Sequence, residues 1–201
     1  IATFLVFNSF QTIAAFSFFI IVHYLFFGDA SAAGIWPSMH GSVGAILTSF
    51  LVIPVVSKMA QIYGKKETFI ISQCISVIGY ILFWFLFIPG KPHMFLFALP
   101  FFSFGIGGLF TLMMSMTADA CDYEELENGL PRKEGSFGAI YWWMIKLGTA
   151  LAGLLSGLIM YYVGFSGDAV TQPEGALTGL RIAYSTIPVF GTLIAIYIMR
   201  D

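Results

Sequence analysis

Charge is scarce in this chain: 10% of its 201 residues are Asp, Glu, Lys or Arg, against about 25% in a typical water-soluble domain. That leaves too little polar material to build an exterior facing water. Cysteine is nearly missing as well. Cys74 falls in an apolar run and Cys121 in a polar break, which does not support a disulfide framework, and both read as free thiols. H-E-x-x-H and G-x-S-x-G sequences are lacking, and His23, His40 and His93 are scattered toward one side. No nucleophile-and-base pair or metal-ligand set therefore points to an enzyme. No basic stripe interleaved with aromatics suggests nucleic acid, and the net charge of -2 selects no partner. The chain opens on Ile1 inside an apolar run, without an initiator Met, a basic n-region or a cleavage site. It reads as a piece of a longer protein rather than a signal peptide followed by a domain.

What the chain has in abundance is hydrocarbon: 58% hydrophobic and 17% aromatic residues. Apolar windows occur at 1–27, 41–60, 67–88, 94–117, 136–164 and 181–199, each near or above the roughly 20 residues that a helix needs to cross a bilayer. The expected fold is all-α, a polytopic bundle of six transmembrane helices. Polar breaks separate the windows: Gly28 to His40, Gln61 to Lys66, Pro89 to His93, Ala118 to Gly135 and Ser166 to Gly179. If the first span runs outward, Lys58, Lys65, Lys66, Arg132, Lys133 and Arg200 lie inside, with only Lys91 and Arg181 outside. That bias places both ends of the segment in the cytoplasm. Pro54, Pro100 and Pro188, together with Gly105, Gly107 and Gly108, interrupt the backbone of their spans in ways that membrane helices tolerate. No low-complexity stretch or plain internal repeat is present, although three spans plus three suits an inverted-repeat transporter half.

Lys146 stands ten residues into the fifth window, about 15 Å past its start at helical rise. A charge at mid-helix disfavours insertion by roughly 3 kcal/mol and usually faces a bundle interior or a watery path, with a partner. The alternative is a lysine that only locks two helices through a buried ion pair. Trp142, Lys146, Thr149, Ala150, Gly153 and Gly157 recur at steps of three and four and share one helix face. Its small end has the G-x-x-x-G spacing that lets another helix approach. Its other end sets Trp142 one turn from Lys146, with Tyr141 and Trp143 alongside. An aromatic plate beside a charged donor suits a sugar, whose C–H faces stack on rings while its hydroxyls seek polar partners. On the first span, Asn8, Gln11, Thr12 and His23 form a polar stripe that either lines an aqueous cavity or bonds to neighbouring helices. No Asp or Glu lies within a span except Glu67, which opens the third; Asp29, Asp168 and Glu174 belong to outer breaks. Any carboxylate for Lys146 or for a cation must therefore come from outside this segment.

The fifth break groups acid before base: Asp119, Asp122, Glu124, Glu125 and Glu127, then Arg132, Lys133 and Glu134. A solvated loop is one reading and a gate the other. Asp119 and Asp122, at the expected end of the fourth helix, oppose its dipole unless bases lie opposite.

The run Thr117-Ala118-Asp119-Ala120-Cys121-Asp122-Tyr123-Glu124-Glu125, followed by Gly129, Arg132, Glu134-Gly135 and Trp143-Met144-Ile145-Lys146-Leu147-Gly148-Thr149-Ala150-Leu151, resembles the glycoside, pentoside and hexuronide cation symporters. This is the melibiose-carrier family of the major facilitator superfamily. Gly64-Lys65-Lys66 looks like the superfamily's basic inner turn. The resemblance covers the chain as the C-terminal six helices, and its specific part runs from Thr117 to Leu151. It implies that Lys146 lies beside cation and sugar sites whose carboxylates come from an absent N-terminal half. It further implies that Asp119 and Asp122 help close the cytoplasmic side by ion pairs, with Arg132 as a basic residue of the same loop. Tyr141 and Trp142 depart from the melibiose carrier, which has polar residues near the sugar there, and Phe110 stands where that carrier has a tryptophan.

These readings converge on a secondary transporter of the cell inner membrane, a sodium- or proton-coupled symporter of a sugar or glycoside that works by alternating access. The expected site comprises Lys146, Trp142, Tyr141, Thr149, Asn8, Gln11 and Phe110, with Asp119, Asp122 and Arg132 as a cytoplasmic gate. Its expected partners are the sugar, the coupling cation, the bilayer and the N-terminal half. No metal centre or cofactor is expected, the coupling cation's ligands lying mostly in the missing half. An uncoupled facilitator, and a sensor or scaffold with a transporter fold, are the alternatives.

Overall fold

The computed structural model describes residues 1–129, 131–167, 169, 171–173 and 175–200; Asp168 and Glu174 lie outside the described residues. Six helical segments are long and apolar enough to cross a membrane: α1 (Ala2–Leu25), α2 (Ala30–Tyr63), α3 (Lys65–Leu86), α4 (Pro92–Asn128), α5 (Glu134–Tyr162) and α6 (Ala176–Arg200). The protein is a polytopic all-α membrane bundle, and no strand occurs among the described residues.

Two helices overrun their apolar windows. The break expected over Gly28 to His40 is mostly helix: Asp29 caps a single turn, Ala30–Ala33, and a second start at Trp36 carries Pro37 in its first turn. A proline is tolerated there because its missing N–H would have had no helical acceptor. The fourth helix likewise continues eleven residues past its apolar window before ending at Gly129, whose φ of 61° is left-handed. The acidic run is therefore helical rather than a loop. Its segment, Met114–Asn128, has three Glu, two Ala and two Met, which favour helix whether or not they face lipid. At 1.5 Å per residue α4 is about 55 Å long, well beyond the roughly 30 Å hydrocarbon core, so the acidic end projects from the membrane.

Widened π turns occupy Ile20–Leu25, Thr48–Val52 and Leu109–Met113. The second precedes Pro54, which cannot donate to the Phe50 carbonyl and crowds it, and a local π turn absorbs that clash. The third follows the glycine-rich stretch of α4. Pro100 restarts a helix after the 3₁₀ turn Pro92–Phe97, whereas Pro188 sits inside α6.

The helix at the centre is α1, clasped by α5 on one side and α6 on another. α3 packs on α4 and α6, and α2 packs on α4. Along the α3–α4 seam, Ser72, Ser76 and Gly79 meet Gly105, Gly108 and Phe102, and the Gln73 amide donates to the Gly105 carbonyl at 3.0 Å. Aromatic rings fill the upper core, with Phe83 set against Phe87, Phe102 and Tyr184 at centroid distances of 5.5, 5.7 and 5.5 Å. Both thiols are free, Cys74 on the exterior of α3 and Cys121 buried on α4.

Candidate functional site

α5 is held by one stripe. Tyr141, Ile145, Gly148, Ala152 and Ser156 are buried, and their spacing of three and four puts them on a single face against α1. Gly148 sets the distance. A Cβ there would lie 3.3 Å from the Phe4 carbonyl oxygen and 3.4 Å from the Asn8 nitrogen, so only glycine admits this approach without displacing backbone. Asn8 Nδ2 donates to the Gly148 carbonyl at 3.1 Å, the bond that fixes the register of the two helices.

Most of the rest of α5 is open, with Trp143, Leu154 and Leu158 also exposed. Trp142, Lys146, Thr149, Ala150, Gly153 and Gly157 are all exposed, so the structure gathers them into one uncovered strip. Lys146 lies about 18 Å from the start of the helix and has no carboxylate partner among the described residues. The Thr149 hydroxyl donates to the Ile145 carbonyl at 3.2 Å. Tyr141 and Trp142 are in ring contact, edge to face with centroids 5.6 Å apart, but Tyr141 is the buried member of the pair. It is 6% exposed, whereas Trp142 is 47% exposed; one residue of helix rotates a side chain by about 100°. Tyr141 belongs to the buried cluster that includes Ala2, Val6, Phe7 and Met113, and its buried hydroxyl has no partner among the described residues.

A separate cavity of ≈ 600 Å³ opens between α1, α2 and α4. Phe10 and Phe102 stack on one wall, centroids 5.4 Å apart and planes at 14°, and Phe110 forms another part of the lining. Phe110 also meets Phe7 edge-on at 5.9 Å. The polar lining comes from Ser17, His40, Thr48 and Ser49. His40 is buried and lies 3.2 Å from the Tyr184 hydroxyl, while Thr48 and Ser103 both donate to the Gly44 carbonyl, at 2.8 and 3.2 Å. Of the sequence-expected site, only Phe110 lines this cavity. Asn8 serves the α1–α5 contact, and Gln11 is half-buried with no side-chain hydrogen bond among the described residues. The walls that the sequence reading missed, above all His40, Thr48 and Ser49, had one trace: Gly41, Gly44, Ala45 and Thr48 recur at steps of one helical turn.

At the end of the bundle bearing the acidic helix, Lys65 Nζ pairs with Asp119 at 2.6 Å, joining the start of α3 to α4. Lys65 belongs to the Gly64-Lys65-Lys66 turn and was not among the expected gate residues; it follows directly on Gly64, whose φ is 86°. Arg132 pairs with Asp122 at 2.5 Å and Glu134 at 3.0 Å, with Glu125 at 3.8 Å, and Lys133 pairs with Glu124. These latter bonds are local to the α4–α5 connection. Among the described residues, only the Lys65–Asp119 ion pair spans elements distant in sequence. Among the described residues no group of three or more His, Cys, Asp or Glu side chains converges as a metal site.

Residues 1–200 match the family model described as MFS/sugar transport protein. The chain belongs to this family. MFS/sugar transport relatives include the glucuronide carrier protein homolog of Escherichia coli K12, 31% identical over 146 residues, or 73% of this chain and 31% of the relative. A protein of the same organism provisionally named glycoside/cation symporter YagG is 26% identical over 152 residues, 75% of this chain and 32% of the relative. The uncharacterized symporter YjmB of Bacillus subtilis 168 is 28% identical over 152 residues, 76% of this chain and 32% of the relative. The matched segment thus spans about a third of the length of each of these relatives.

Proposed function

We propose that this chain forms the C-terminal six-helix half of a secondary transporter that moves a sugar or glycoside with sodium or protons by alternating access, in a cell inner membrane with both ends of the segment cytoplasmic. The observation that carries this reading is the uncovered strip of α5. A mid-membrane ammonium, a tryptophan and a threonine share a face that no described residue covers. A charge so placed calls for hydration and an opposing carboxylate. The described spans supply none at that depth, so the partner comes from the remaining part of the protein, across a central cleft. There Lys146 and the cation compete for the same negative charge, and that competition couples cation binding to the state of the site. Trp142 offers a ring face to the sugar and Thr149 a hydroxyl, while the cavity between α1, α2 and α4 gives room on the same half. Lys65–Asp119 and the Arg132 cluster hold the cytoplasmic end closed in one state. The names of the relatives, a glucuronide carrier homolog and a glycoside/cation symporter, support the substrate class.

The test is uptake by the complete protein in vesicles with imposed sodium or proton gradients. Lys146→Ala is expected to abolish gradient-driven sugar accumulation while expression and folding persist. Retention of full coupled uptake sinks the assignment of Lys146. Gradient-independent uptake by the unsubstituted protein identifies a facilitator, and absence of both uptake and sugar counterflow identifies a sensor or scaffold.

A further inference from the structure

Away from the cavity, an apolar groove of ≈ 490 Å³ runs between α3 and α6, walled by Ile81, Trp84, Phe85, Ile182, Val189 and Phe190. The two hydroxyls along it turn back to their own helix: Ser185 donates to the Arg181 carbonyl at 3.0 Å and Thr186 to the Ile182 carbonyl at 2.6 Å. Its surface is therefore hydrocarbon. Phe83 and Tyr184 separate it from the cavity, since both rings contact His40 or Phe102 on the inner side. The groove opens on the side away from the cavity.

One end of the groove carries a fixed cation. The Arg181 guanidinium lies over the rings of Tyr24 and Trp84, 4.1 and 4.5 Å from their centroids. It donates to the Tyr24 hydroxyl and to the Trp84 carbonyl, each at 2.8 Å. A guanidinium has five N–H donors, so further donors stay uncommitted, and no carboxylate among the described residues pairs with it. Asp29, the described carboxylate at this end of the bundle, is already engaged. The Ser31 hydroxyl and the Ala32 N–H hold its carboxyl below the usual carboxylate range. Trp84 belongs to both features, stacking under the guanidinium and lining the groove. From Arg181 to Phe190 the helix advances about 14 Å, close to half of a roughly 30 Å hydrocarbon core. With the groove's far end at the bilayer midplane, Arg181 stands at headgroup depth.

We infer that this groove binds one acyl chain of an anionic phospholipid whose phosphate rests on Arg181. The planar donor fork suits phosphate oxygens in paired contacts, basic sites between membrane helices take anionic headgroups, and an acyl tail fills a slot that offers no polar group. Lys91, in the turn after α3, adds positive charge at the same end of the bundle.

The experiment is native mass spectrometry of the complete protein released from vesicles of equal phosphatidylglycerol and phosphatidylcholine. Phosphatidylglycerol is expected to be retained preferentially. Arg181→Gln should lower that preference roughly fivefold, the equivalent of one interfacial basic residue, with Arg181→Lys restoring part of it. Val189→Trp, which fills the groove and leaves Arg181 in place, should reduce retention of both lipids. Equal retention of the two lipids by the unsubstituted protein, or an undiminished preference in Arg181→Gln, overturns the inference. Disulfide cross-linking of Phe190→Cys to a second copy in the same vesicles also overturns it, by giving the groove to protein.

Discussion

The Asn8 amide donates to the carbonyl of Gly148 at 3.1 Å, where the absence of a side chain brings α5 onto the backbone of α1. The bond and the close approach depend on each other. Asn8→Ala should lower thermal stability modestly, by about 0.6 kcal/mol, typical of an interhelical membrane hydrogen bond. Gly148→Val, which thrusts two methyl groups at the Phe4 carbonyl, should be worse by at least about 1 kcal/mol through overpacking. Melting of the detergent-solubilised complete protein ranks the two variants, and equal stability would show that α5 is not seated by this contact.

His40 and Tyr184 form a buried polar pair within an aromatic shell. Replacing His40 by Phe strands the tyrosine hydroxyl and should destabilise by about 1–3 kcal/mol. The double variant His40→Phe with Tyr184→Phe should recover most of that loss, because neither polar group remains to be satisfied. Denaturation of the single and double variants gives the coupling directly.

Lys65 and Asp119 are both substantially exposed, so breaking their pair should change stability by no more than about 1 kcal/mol. Its effect on uptake should be far larger if it latches the cytoplasmic end. Asp119→Lys alone should impair transport, and the swap Lys65→Asp with Asp119→Lys should recover it. A swap no better than the single variant assigns the residues another role.

The strip of α5 leads to a prediction about water. A cysteine at Lys146 or Thr149 in the complete protein should react with a membrane-impermeant maleimide added from one side, and sugar should slow the reaction. A cysteine at Leu154, also exposed on α5, should stay unreactive if it faces lipid. Indifference of Lys146→Cys to the reagent places that position in hydrocarbon.

The six crossings were legible because hydrocarbon thickness demands a minimum apolar length, and nothing in a soluble fold imitates such runs. Lys146 was legible for the same reason, as a charge where the solvent has none to offer. Helix ends were harder. At Trp36 to His40 and again at Asp119 to Glu127, backbone bonding continues where hydropathy stops, since a helix outside the membrane needs propensity and a terminator rather than apolar residues. The Lys65–Asp119 pair was invisible because its members lie 54 positions apart and meet only once α3 and α4 are packed. The burial of Tyr141 was not legible, because a neighbour one step along a helix looks adjacent in sequence while facing a different medium, even where the two rings still touch. His40, Thr48 and Ser49 escaped notice since a stripe of small and polar residues looks the same whether it lines a cavity or seats another helix.

The position of α1 has a consequence for biogenesis. Its two principal neighbours, α5 and α6, are made after it with three other spans in between, and the Gly148 carbonyl emerges 140 residues after Asn8, or roughly 7 to 28 seconds later at about 5–20 residues per second. Throughout that interval α1 waits in the membrane with the Asn8 amide lacking this acceptor and its most densely packed flank bare. A nascent chain of this kind depends on the insertion machinery to shelter α1 until α5 and α6 arrive.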